Sequence, residues 1–328
     1  MRALIYEGPH RLSFGPFEAP EPGSGEALIE IEAVGLCGSD MHAFHGADNR
    51  RPPRLILGHE ACGRVLSGPL TGKRVTVNPL VSCGKCEACL RGRDNLCPNR
   101  QIISMPPRHG AFAEYLAHPE ANLVVVPDGV APEHAALAEP LACGWHAVRL
   151  AEAALDRPLA EADCLVIGGG AIGVGAALAL GIHGAERITI AETNPLRREV
   201  LARTTEVALI DPRDTAPSPA HLVIDAVGYA ATRALASEVV HPGGVIAHIG
   251  LGSAEGGLDI RRATLQEITF FGTYTYTAAE FRQTAEAIFA GQFGSLAWIE
   301  ERPLAEGQAV FEAIDGGQMA APKVIFRP

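Results

Sequence analysis

The stretch "DCLVIGGGAIGVGAALALGI", residues 163–182, decides the fold of the second half of the chain. Its opening apolar run reads as a short buried strand, its glycines as a turn, and its Ala/Leu run as a helix. Downstream, "RITIAE", "HLVIDAVG" and "GGVIAHIGL" read as three more strands separated by helical stretches. Strands alternating with helices predict a parallel α/β sheet. "EITFFGTYTYT" (267–277) reads as a further long strand, and "KVIF" as a last short one.

Gly168, Gly170 and Gly173 form G-x-G-x-x-G directly after the strand "CLVI" and directly before a helix. The first glycine permits a tight turn. The second lets the backbone approach a pyrophosphate, and the third lets helix and strand pack closely. The phosphate then sits against the positive end of the helix. Ala171 and Ile172 lie within the motif and belong to the same dinucleotide-binding turn. Glu192 ends the next strand, nineteen residues after Gly173. A carboxylate there accepts hydrogen bonds from a ribose 2′-hydroxyl and repels a 2′-phosphate, which favours NAD over NADP. Arg197 and Arg198 follow closely and would instead suit a phosphate, so the second reading stays open.

The 328 residues exceed one ordinary core and suit two domains. Hydrophobic content of 47% and charged content of 20% predict a soluble globular protein. A net charge of −11 argues against nucleic acid or an anionic membrane as the main partner. The first residues, "MRALIYEGPHRL", contain neither a long apolar run nor a cleavage site, so a cytoplasmic location with reduced thiols is expected.

Residues 1–140 differ in texture. They are rich in Gly, Pro and short β-type runs such as "EALIEIEAVGL", which alternates over Ala27–Val34. Four of the eight cysteines fall within fifteen residues there, at Cys83, Cys86, Cys89 and Cys97. Four thiolates in a small loop suit tetrahedral zinc, and with every position filled by the protein such a site is structural. A bacterial ferredoxin run has three residues before its last cysteine, whereas this one has seven. The chemistry therefore belongs elsewhere. "GLCGSDMH" offers Cys37, Ser39, Asp40 and His42, "LGHEACG" offers His59 and Glu60, and "AEPLACG" offers Glu139. One thiolate, one imidazole and one carboxylate would make a catalytic zinc site with an open position, although spacing alone does not prove that they converge.

These motifs, in this order, resemble the zinc-dependent medium-chain alcohol dehydrogenases over nearly the whole chain. "CGSDMH" and the glutamate of "AEPL" point to the polyol (sorbitol-type) branch. The resemblance implies a GroES-like β-barrel catalytic domain over 1–140 and 284–328, and a Rossmann coenzyme domain over 141–283. It implies two zinc ions per chain. Cys37, His59, Glu60 and Glu139 would hold the catalytic one, with the two glutamates able to exchange. Asp40 would orient His59, while Ser39 and His42 would relay a proton. Gly168 to Gly173, Glu192 and Arg197 would bind the dinucleotide. The expected activity is hydride transfer between a secondary alcohol or polyol and NAD, in a homodimer or homotetramer. Arg50, Arg51 and Arg54 read either as contacts to an anionic substrate group or as an exposed basic loop. Cys62, Cys143 and Cys164 read as small buried residues.

Three other readings remain: a sugar-phosphate or sugar-acid dehydrogenase of the same family, a zinc-free NADPH quinone or enoyl reductase, and a non-catalytic nucleotide-binding protein. The zinc-free branch lacks the cysteine loop and the Cys/His pair that this chain carries.

Overall fold

Alternation at Glu26–Gly35 makes a strand in which Ala27, Ile29, Ile31 and Ala33 are buried while Glu30 is exposed. In the computed structural model, which describes residues 1–328, this strand is the spine of a seven-stranded sheet. It pairs antiparallel with Glu60–Val65, Tyr115–Pro119 and Lys323–Arg327. The pairings set Gly35 opposite Glu60 and opposite Ile325. Phe44, Phe112, Phe311 and Phe326, all buried, fill the core beside the sheet, with Phe112 and Phe326 rings edge to face at 5.3 Å.

The chain divides into two units. The first comprises Met1–Glu139, Thr277–Gly291 and Ile299–Pro328, and the second comprises Pro140–Tyr276 and Gln292–Trp298. The sequence reading placed the return to the first domain at residue 284. The chain crosses earlier because Thr277 caps the helix Ala278–Phe289, and Asp94 of the first unit accepts the Ala278 N–H at 3.0 Å. Residues 292–298 then rejoin the second unit, where Phe293, Leu296 and Trp298 are buried.

In the second unit a six-stranded sheet runs in the order Ala208–Ile210, Arg187–Ala191, Asp163–Ile167, Ala220–Asp225, Val240–His248, Thr269–Gly272. Every pairing is parallel. Numbered within the unit this is 3-2-1-4-5-6, the doubly wound order, with its switch point between the carboxyl ends of Asp163–Ile167 and Ala220–Asp225. The long strand expected over 267–277 is a four-residue edge strand. Glu267 and Thr275 adopt positive φ, which ends the extended run on both sides of Thr269–Gly272. No helix is long and apolar enough to cross a membrane.

Candidate active site and cofactor sites

Cys37 ends the loop after the spine strand and caps the short helix Gly38–Phe44. His59 directly precedes the neighbouring strand Glu60–Val65, which Glu60 opens. This places donor atoms of Cys37, His59 and Glu60 within 4.8 Å of one another, although 22 residues separate Cys37 from His59 in sequence. His59 is 7% exposed and Glu60 fully buried.

Asp40 is fully buried behind this group. Its Oδ2 accepts the Cys37 N–H at 3.1 Å, and its Oδ1 stands 3.6 Å from His59 Nδ1. That distance is an ion-pair contact, beyond hydrogen-bond length. Burial alone would raise the Asp40 carboxyl, but His59, Arg51 and the Cys37 N–H outweigh it and hold it below its usual value. Burial alone would lower the His59 imidazole, yet Asp40 and Cys37 raise it well above its usual value. The surroundings of His59 therefore favour positive charge. Such a field, with thiolate, imidazole and carboxylate converging, fits a zinc ion.

Glu60 has a partner that the sequence reading missed. Lys323 Nζ donates to both carboxylate oxygens of Glu60, at 2.6 and 2.8 Å, and to the Leu36 carbonyl at 2.8 Å. All three ammonium donors are thereby used. Burial alone would lower Lys323, but Glu60, Cys37 and Glu139 outweigh it and keep the group cationic. Gly35 makes room for the pair, since a Cβ there would lie 1.8 Å from Glu60 Oε2. Glu139 is buried in the first turn of the helix Ala138–Ala154 and lies outside the 4.8 Å group, though its charge reaches Lys323.

Ser39 and His42, both half-buried, lie on the helix that follows Cys37. Arg51 is 4% exposed and anchors that helix. Its guanidinium donates to the Ser39 carbonyl at 2.6 Å, to Ser39 Oγ at 3.4 Å and to the Ser104 carbonyl at 3.1 Å. Arg50 is exposed and pairs with Asp48 at 2.8 Å, while Arg54 occupies a left-handed turn. Of the two readings for the three arginines, neither describes Arg51, which is a buried brace.

The sulfurs of Cys83, Cys86, Cys89 and Cys97 also lie within 4.8 Å of one another. Cys86 and Cys89 are 3.4 Å apart, and Cys83 and Cys89 4.0 Å. A disulfide requires about 2.05 Å. Tetrahedral zinc with Zn–S near 2.3 Å sets sulfurs about 3.8 Å apart, and this cluster matches that spacing. Backbone N–H groups of Lys85 and Cys86 draw the Cys83 thiol down to about 6, which favours the ligating thiolate. Of the remaining cysteines, Cys62 and Cys164 are buried, whereas Cys143 is only partly so. Burial pushes the Cys164 thiol up to about 12.

In the second unit the glycine turn joins Asp163–Ile167 to the helix Ala171–Ile182. Gly168 has φ +99°, and a Cβ on Gly173 would lie 1.8 Å from the Gly168 carbonyl oxygen. Glu192, 5% exposed, accepts the N–H groups of Gly169 and Asn194, each at 2.7 Å. Arg197 lies 3.3 Å from the same carboxylate. Acid and arginine, read from sequence as rival specificity signals, are thus partners. Arg198 and Arg213 both pair with Asp211 nearby, at 2.9 and 2.6 Å. Asp225, at the switch point, accepts the N–H groups of Val227 and Gly228 and the Thr232 hydroxyl. It was not singled out from sequence, where an Asp ending a strand carries no special pattern.

Comparison with known proteins adds the family. Residues 23–128 match the alcohol dehydrogenase GroES-like domain, and residues 171–290 the zinc-binding dehydrogenase domain. L-galactonate-5-dehydrogenase of Escherichia coli (strain K12) is 34% identical over 308 residues, covering 89% of this chain and 88% of that protein. The chain belongs to the zinc-dependent medium-chain alcohol dehydrogenases. Sorbitol dehydrogenase of Bacillus subtilis (strain 168) is 30% identical over 298 residues, covering 84% of this chain and 82% of that protein. The acetophenone reductase of Geotrichum candidum NBRC 4597, solved in complex with NAD, superposes with a TM-score of 0.87 at 25% identity, covering 99% and 96% of the two chains. This family member is a zinc- and nicotinamide-dependent oxidoreductase of the polyol dehydrogenase branch.

Proposed function

We propose that the protein oxidises a secondary alcohol of a polyol to a ketone, with NAD as hydride acceptor, and catalyses the reverse reduction. The convergence of Cys37, His59 and Glu60 beside Asp40 carries this reading. Cys37 and His59 would hold the catalytic ion with Glu60, and with Glu139 where the two glutamates exchange, and the four-cysteine loop would hold the structural one. When bound, zinc supplies the Lewis acid that acidifies the alcohol, and the dinucleotide supplies the hydride acceptor. Asp40 faces the Nδ1 side of the His59 ring as an ion-pair partner, leaving Nε2 to ligate. The Ser39 hydroxyl takes the substrate proton, and the half-exposed His42 imidazole passes it to water. Arg51 holds Ser39 at its carbonyl and its Oγ, so the hydroxyl keeps one position during that transfer. Gly168, Gly170, Ala171, Ile172 and Gly173 cradle the pyrophosphate, and Glu192 with Arg197 meets the adenosine ribose.

A second reading is favoured by one observation, the 34% identity to L-galactonate-5-dehydrogenase: the substrate is a sugar acid, whose secondary alcohol is oxidised in the same way. An NADH-absorbance screen decides between them. It sets sugar alcohols against aldonic acids, with NAD and NADP in parallel. Higher kcat/KM on neutral polyols supports the first reading, and preference for carboxylate substrates supports the second. No turnover of either class overturns both.

The eight free cysteines suit a reducing cytoplasm. The uncovered edge strand Thr269–Gly272 suits pairing between two coenzyme domains in a homodimer or homotetramer. A monomer mass in light scattering at micromolar concentration would count against that assembly.

A further inference from the structure

Three strands of the parallel sheet begin side by side, at the end opposite the glycine turn. Asp163 opens Asp163–Ile167, His221 is the second residue of Ala220–Asp225, and His241 the second of Val240–His248. The ladder sets Cys164 opposite Leu222 and Ala220 opposite Val240, and its register shifts between Ala220 and Leu222, where His221 and His241 lie. One donor atom from each of Asp163, His221 and His241 lies within 4.8 Å of the other two. The two imidazole rings are 4.5 Å apart with 32° between their planes. Asp163 Oδ2 stands 3.3 Å from His221 Nδ1. All three residues are half-buried, so the cluster is reachable from solvent.

We propose that Asp163, His221 and His241 form a third metal site, separate from the two zinc sites of the first unit, which takes a zinc-like divalent ion. Two imidazoles and one carboxylate are the donor set of zinc, copper(II) and nickel(II), whereas magnesium and calcium prefer oxygen ligands alone. Asp163 and His221 start adjacent paired strands, and although the ladder between the His221 and His241 strands shifts register there, the three donor atoms already lie close together. None of the three serves hydride transfer. Asp163 lies five residues before Gly168, roughly 16 Å along the strand. The ion ties together the starts of the first, fourth and fifth strands of the unit.

Two existing contacts compete with the ion. Arg187 holds Asp163 Oδ1 at 2.6 Å, and the Asp163 N–H donates to His221 Nδ1 at 3.0 Å. Binding displaces the second contact, and the freed N–H meets water at this partly open edge. The first contact is a cation already seated on the carboxylate, so removing it tightens metal binding.

The test uses the full chain with its resident zinc intact, two ions per chain by elemental analysis. Calorimetric titration with micromolar zinc is expected to show one further ion per chain. The double variant His221→Gln/His241→Gln loses that ion while keeping NADH binding and alcohol turnover, and Arg187→Gln binds it more tightly. Copper(II) at the site gives an electron paramagnetic resonance signal split by two imidazole nitrogens, and by one in His241→Gln. Absence of a further ion overturns the proposal, as does a further ion that persists unchanged in the double variant. If the double variant does not fold, His241→Gln alone carries the comparison, and unaltered zinc binding or copper splitting in it is equally decisive.

Discussion

Lys323 and Glu60 form a fully buried ion pair, with Nζ 2.6 and 2.8 Å from the two carboxylate oxygens, at the edge of the candidate catalytic metal site. The carboxylate read from sequence as a metal ligand is thus held by a cation of the chain itself. Removing one member of such a pair strands the other charge, at a cost of about 3–5 kcal/mol. Lys323→Met is expected to unfold at markedly lower urea concentration, and Glu60→Gln/Lys323→Met to regain much of the loss. Equal midpoints for Lys323→Met and the parent protein would disprove the coupling.

Cys37→Ala removes a donor that lies in the first unit. Turnover should fall by about a hundred- to a thousandfold, the scale on which a lost transition-state contact to a charged centre acts. Dinucleotide affinity, read from NADH fluorescence, should stay within a few-fold. Substantial remaining turnover would remove Cys37 from the catalytic site.

Glu192 neutralises Arg197 where the adenosine ribose is expected. Glu192→Ser leaves Arg197 unopposed and removes the group that repels a 2′-phosphate. The ratio of kcat/KM for NADP to that for NAD should rise by at least about tenfold, equivalent to about 1.4 kcal/mol. A ratio that stays put would assign cofactor choice to other residues.

The cysteine loop should open when one thiolate is lost. Cys89→Ser is expected to lower bound zinc from two ions per chain to one and to expose residues 83–97 to proteolysis. Because Asp94 within the loop accepts the Ala278 N–H, the start of the helix Ala278–Phe289 should lose hydrogen-exchange protection too. Retention of both ions in the variant would refute the structural assignment.

His118 supplies a pH dependence. It is fully buried with Nε2 2.8 Å from the Asn78 carbonyl, and burial pushes its pKa down to about 4. The unfolded chain binds this proton near pH 6.5, more readily than the folded one. Stability is therefore complete above that pH and falls as pH drops from about 6.5 to about 4, by about 3 kcal/mol in all. Urea midpoints of His118→Asn should show a shallower decline over that window. The parent slope, unchanged, would locate the titration elsewhere.

The legible parts of this protein were those with chemistry at fixed short spacing. The cysteine loop and the glycine turn are local patterns, and each forms the structure its spacing predicts. Cys37, His59 and Glu60 were legible as candidates through their motifs, while their convergence needed the strand pairing that sets Gly35 against Glu60. Lys323 was not legible, because a lysine before an apolar strand looks like a solvated flank and its partner lies 263 residues away. The opposite error befell 267–277, where apolar and aromatic residues suggested a long strand. Positive φ at Glu267 and Thr275 cannot be foreseen from such residues, which seldom adopt it.

The separation of Lys323 from Glu60 bears on how the protein is born. A ribosome adding about 5–20 residues per second leaves Glu60 without its cation for roughly 10–50 seconds. Through that interval the nascent sheet lacks the strand Lys323–Arg327 as well as the buried charge that neutralises its carboxylate. The coenzyme unit's six strands are complete by Gly272, so they can assemble while the catalytic unit, begun first, waits for its closing strand. Vectorial synthesis thus delivers every strand of the coenzyme sheet before the last strand of the catalytic sheet.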